Sequence, residues 1–214
     1  DTIRKRLSQY YNCIFDYDFI FEGWTIKRLP DIYCVGDSHI SIFSNKKGVL
    51  NIRDSISYQN FHLYVAGPCL AYTVIDNDNL LSIINNNANS YILLAFGEID
   101  CRAQVNKRIG TRSWQEIVQE IVFRYFSFLE KIRHKRIIVF SITPDLQENI
   151  FPQHYLSNPD VFDCPSGSYL ERREYKEYFN YLVKEKCSEN NYVFASIYDY
   201  LVEPTFTKTM YYVD

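Results

Sequence analysis

The chain has 214 residues, 47% of them hydrophobic, with a formal net charge of −3 and a pI near 5.8. That is enough apolar material for one sizeable core, and too little positive charge to recruit a nucleic-acid backbone. No window reaches the ~20 apolar residues of a membrane-spanning helix, and the first residues lack the apolar run of a signal peptide.

Residues 1–30 read as an N-terminal extension, with a helical pattern near 2–13 and an aromatic-rich stretch at 15–24 to which the pattern assigns no partner. Residues 31–214 read as one domain. A short apolar run at 32–35 predicts the first strand and empties into Gly36-Asp37-Ser38-His39. Further runs at 61–66, 91–96, 137–142 and 192–195 predict four more strands, most of them separated by amphipathic segments. This alternation predicts an α/β fold, a three-layer α/β/α sandwich around a mostly parallel five-stranded sheet. Ser113-x-x-Glu116 and Ser168-x-x-Glu171 have the form of capping boxes and predict two helix starts. In the first of these helices Ile117, Ile121, Val122, Tyr125, Phe128 and Leu129 share a face. Between the two helices, residues 143–167 carry Pro144, Pro152, Pro159 and Pro165 and predict a long loop over the carboxyl edge of the sheet.

The six cysteines, Cys13, Cys34, Cys69, Cys101, Cys164 and Cys187, form no C-x-x-C pair and no dense disulfide framework. Reduced thiols and a cytoplasmic setting are expected. Cys34, Cys69 and Cys101 near strand ends, together with His39, invite a metal reading, but they lack paired ligand spacing. Core packing is the expectation, with no metal and no cofactor. A phosphate-binding loop is also ruled out, since Gly36-Asp37-Ser38-His39 lacks the second glycine and the lysine.

The chemistry concentrates at strand ends. Gly36, Gly67 and Gly97 each follow a predicted strand, and in a parallel sheet all three open onto the carboxyl edge, where open α/β folds place their ligands. A serine on such a turn, Ser38, is well placed to act as a nucleophile.

As an ordered set, Val35-Gly36-Asp37-Ser38-His39, Ala66-Gly67-Pro68 and Gly97-Glu98-Ile99-Asp100 resemble the blocks of the SGNH, or GDSL-like, hydrolase superfamily, in its Gly-Asp-Ser-His branch. The resemblance implies a flavodoxin-like fold of SGNH-hydrolase type and a serine-dependent esterase or acyltransferase acting on a carbohydrate or small ester. It makes Ser38 the nucleophile and gives the oxyanion the amides of Ser38 and Gly67. In the third block Ile99 stands where the family has an asparagine. Loss of such a donor is worth about 3 kcal/mol of transition-state stabilisation. Arg102 on the same loop either replaces it as a cation or joins Glu98 and Asp100 in a structural ion-pair network. The final block, Asp-x-x-His, is approached at Met210-Tyr211-Tyr212-Val213-Asp214, with Asp214 as the aspartate and the histidine due three residues further on.

Among the histidines present, His39 is adjacent to the nucleophile, His62 begins a strand and His134 ends a helix. His154 lies in the proline-rich loop and is the substitute base favoured by position. Asp37, His39, Glu98, Asp100, Arg102 and His154 are therefore the candidates for lining the site. The alternative to an enzyme is a catalytically silent domain that binds glycan or a neighbouring domain, as one part of a larger protein.

Overall fold

The computed structural model describes residues 25–28, 31–43, 47–52, 55–87, 90–133, 136–145 and 164–202. Seven strands form the sheet: β1 Thr25–Arg28, β2 Ile32–Gly36, β3 Lys47–Ile52, β4 Ser55–Val65, β5 Tyr91–Ala95, β6 Ile137–Phe140 and β7 Val193–Ala195. The helices are α1 Asp78–Asn85, α2 Val105–Arg108, α3 Trp114–Leu129, α4 Tyr169–Asn190 and α5 Tyr198–Leu201. Among the described residues no helix is long and apolar enough to cross a membrane.

All five expected strands are present and parallel, in the order β4-β2-β5-β6-β7. Numbered by the expected strands this is 2-1-3-4-5, the flavodoxin-like order. β2 is therefore central and its neighbours β4 and β5 leave in opposite directions, which puts the topological switch point between β2 and β5.

Two strands were not anticipated. β3 pairs antiparallel with β4, from Lys47 opposite Asn60 to Ile52 opposite Ser55, and β1 pairs parallel with the same half of β4. Both mix polar with apolar residues, so neither stands out as an apolar run. β4 is consequently 11 residues long, and His62 lies within it rather than at its start. The His62 ring reaches back 3.1 Å to Asp31.

Side chains alternate across the sheet. Val35, Ile92, Leu94 and Val139 face a large core shared with α1, α3 and α4, while Cys34, Leu93 and Phe140 face a smaller one on the other side. There Phe43 packs between Phe61 and Phe140. Both capping boxes form: Ser113 and Ser168 accept the amides of Glu116 and Glu171, whose carboxylates accept the serine amides in return. Every residue of the anticipated α3 face is buried. Cys34 and Cys101 are fully buried and Cys69 half-buried, all as free thiols.

Candidate active site

Strand register builds the site. Gly36, the last residue of β2, pairs with Val65 on one side and Ala95 on the other, so three strands end level with one another. The Ala66 amide donates to the Gly36 carbonyl at 2.7 Å, and the Asp37 amide donates to the Ala95 carbonyl at 3.3 Å. The chain then turns sharply into a 3₁₀ segment, Ser38–Phe43. Within this turn the Asp37 side chain is buried, whereas Ser38, its first residue, is exposed.

Gly67 follows β4 with φ of 74° and Gly97 follows β5 with φ of 111°. Both values lie in the left-handed region that favours glycine. Around Gly67 the space is open, with nothing within 4 Å of where a Cβ would stand. At Gly97 it is closed, because a Cβ would meet the Phe179 ring at 2.3 Å.

Behind Gly97 lies a buried charge network. Glu98 accepts the Arg102 Nε at 2.9 and 3.1 Å and the Lys176 Nζ at 2.9 Å, and its Oε2 lies 3.5 Å from His39 Nε2. Lys176 also approaches Asp145 at 3.7 Å, and Arg172 Nε donates to Asp145 at 2.6 Å. Burial alone would raise the Glu98 carboxyl, but the combined attraction of His39, Lys176 and Arg102 holds it well below the usual carboxylate range. Asp100 is engaged with backbone instead. Its carboxylate accepts the amides of Ala71 at 2.7 Å and Tyr72 at 3.2 Å, pinning the segment after Gly67. Burial outweighs those two donors and pushes its carboxyl up to about 7.

The structure thus brings Asp37, Ser38, His39, Glu98, Asp100 and Arg102 to loops at one sheet edge, beside Gly67. Arg102 is buried with its Nε on Glu98, the arrangement of a structural ion-pair network. Ile99 is buried against Leu70 and Ala103. His134, His154 and Asp214 lie outside the described residues. Lys176, Arg172 and Asp145 were not anticipated. Their signal was the spacing of Arg172, Lys176 and Asn180, which puts three polar residues on the buried side of α4.

Asp37, His39, Glu98, Phe140, Ser141 and Thr143 are among the residues enclosing a cavity of about 10 Å³, room for a single water molecule. A larger cleft of about 620 Å³ runs along the outer edge of β7, lined by residues including Arg173, Glu177, Tyr181, Phe194 and Tyr198. It contains none of the candidate residues. Backbone amides, serine and titratable groups converge at the strand ends instead.

No protein-family model and no curated protein matches the sequence. Comparison with solved structures finds a protein from Streptococcus pneumonia, provisionally described as a platelet activating factor, at TM-score 0.51 and 15% identity, covering 100% of this chain and 82% of that one. The chain has an SGNH-hydrolase fold. A carbohydrate acetylesterase from Sinorhizobium meliloti matches at TM-score 0.44 and 12% identity, over 84% of this chain and 88% of that one. A gut microbial diltiazem-metabolizing enzyme matches at TM-score 0.49 and 12% identity; 84% of this chain is covered, but the match spans only 39% of that protein. Within the SGNH-type fold, Ser38, Gly67 and the loop from Gly97 occupy the three strand ends around the switch point.

Proposed function

We propose that this chain is an ester hydrolase of SGNH type. Ser38 Oγ attacks the ester carbonyl carbon, its proton passes through a base to the departing alcohol, and the acyl group remains on Ser38. The developing oxyanion accepts the amides of Ser38 and Gly67. The base this reading calls for is a histidine oriented by an aspartate, for which Asp214 is the candidate. Transfer of the acyl group to water makes an esterase, and transfer to a sugar hydroxyl makes an acyltransferase. A carbohydrate or small ester is the substrate class this reading favours.

One observation carries the proposal: an exposed serine stands at the end of the central strand, level with an open glycine turn on the next strand. A fluorophosphonate probe tests it on the full-length protein. Mass spectrometry is expected to find the probe on the Ser38 peptide and to find no label in Ser38→Ala. An unlabelled Ser38, under conditions where a control serine hydrolase reacts, overturns it.

A second reading, a catalytically silent domain that binds glycan or a neighbouring domain, is favoured by Ile99. Its side chain packs into an apolar cluster and has no hydrogen-bond donor to offer an oxyanion, and the Arg102 Nε is engaged with Glu98. Glycan binding without turnover of any acyl ester by the full-length protein is the result expected from it.

A further inference from the structure

His39 adjoins the nucleophile and the esterase reading gives it no role. Its backbone amide donates to Asp37 Oδ1 at 2.9 Å and its ring Nδ1 lies 3.1 Å from the same oxygen. On the other side of the ring, Nε2 lies 3.5 Å from Glu98 Oε2. Ionised carboxylate oxygens only accept hydrogen bonds, so a ring with a carboxylate at each nitrogen is satisfied only when both nitrogens carry a proton.

We propose that His39 is a positioning residue, held as an imidazolium between Asp37 and Glu98, that clamps the Ser38 turn to the Gly97 loop. The proposal deepens the Ser38 reading and rests on it for its catalytic consequence. A doubly protonated ring has no lone pair to accept the serine proton, so His39 is not the base. Its work is geometric and electrostatic: it joins the loop after β2 to the loop after β5, one residue from the attacking hydroxyl. Asn or Gln at this position keeps a donor but loses the charge.

The surroundings decide whether that charge persists. Glu98, from the loop after β5, attracts it most strongly and raises the ring above its ordinary value; burial opposes this, Asp37 on its own turn adds to it, and Lys176 from α4 counteracts it. Arg102 also sits on Glu98 and competes for the same carboxylate. The two carboxylates prevail because they lie against the ring nitrogens themselves.

Nitrogen-15 NMR of the full-length protein with labelled histidine is the test, with the His39 signal assigned by its loss in His39→Gln. Both ring nitrogens are expected to be protonated, with a titration midpoint above the ordinary 6.5 that falls in Glu98→Gln. A midpoint at or below 6.5, or one indifferent to Glu98→Gln, overturns the clamp whether or not Ser38 reacts. In the second arm, fluorophosphonate labelling of Ser38 is expected to decline as pH rises through that midpoint. Labelling of His39→Gln is expected to be slower by about ten- to a hundredfold and to lack this limb. Unchanged labelling in His39→Gln overturns the positioning role. No label on wild-type Ser38 overturns the esterase reading and this catalytic consequence together, while the NMR result still decides the imidazolium.

Discussion

Lys176 Nζ lies 2.9 Å from Glu98 Oε1 although 78 positions separate them in the chain, and both side chains are buried. The contact fastens α4 beneath the loop that follows β5. Removing one partner of a buried ion pair leaves an uncompensated charge, which costs about 3–5 kcal/mol. Lys176→Met should fall at the low end, about 3 kcal/mol, because Arg102 and His39 still face Glu98. Urea unfolding at neutral pH measures it. Adding Glu98→Gln to Lys176→Met should not recover the loss, since buried Arg102 and His39 then lose the carboxylate they share.

Glu98 and Asp100 are buried two residues apart and should bend stability in opposite directions with pH. Glu98 titrates below its unfolded value, so its contribution is complete above about 4.5 and is lost as pH falls through the folded value. Asp100 titrates near 7 when folded, against 3.8 unfolded, so between those values the native state holds a proton that the unfolded chain has released. Its contribution therefore declines as pH rises from about 4 to about 7 and is flat above. Unfolding free energies across pH 4–8 should show that slope reduced in Asp100→Asn. A parallel offset at all pH values would assign the slope to other groups.

The parallel sheet and the two capping boxes were legible because each rests on a local signal: a short apolar run, or a serine three residues before a glutamate. Ser38, Gly67 and the Gly97 loop could be grouped because parallel strands must end on one edge. β1 and β3 were missed because strands that mix polar and apolar residues look like loop. The charge network was missed for a different reason. Lys176 and Arg172 were not singled out in the sequence, and only packing of α4 against the Gly97 loop buries them. Arg102 stayed ambiguous for the same cause, since its partner Glu98 was in view but Lys176 on the far side was not.

Ile99→Asn puts at this position the residue of the SGNH third block but should not supply a donor. The Ile99 side chain packs against Leu70 and Ala103 and is 2% exposed, so an asparagine there places its amide among apolar groups. Loss of apolar packing and burial of an unpaired amide together cost about 2–4 kcal/mol. Chemical denaturation should show that loss, and turnover of a short-chain acyl ester should not rise. An increase in turnover at unchanged stability would mean that the side chain at 99 reaches the oxyanion.

The two positive-φ glycines beside the serine should respond differently to alanine. At Gly97 the added Cβ combines a left-handed backbone with a 2.3 Å approach to the Phe179 ring, a core residue of α4. Backbone strain of about 1–2 kcal/mol and overpacking of about 1–3 kcal/mol then act together, so Gly97→Ala should lower stability by about 3 kcal/mol. At Gly67 the backbone strain remains but the Cβ projects into open space, so Gly67→Ala should cost only about 1–2 kcal/mol. If that space receives the ester, the same methyl group obstructs it. Fluorophosphonate labelling of Ser38 in Gly67→Ala should then slow by about tenfold, equivalent to about 1.4 kcal/mol of barrier, at a temperature where the variant is fully folded. Labelling at the wild-type rate would mean that the ester does not enter the space beside the Gly67 Cα.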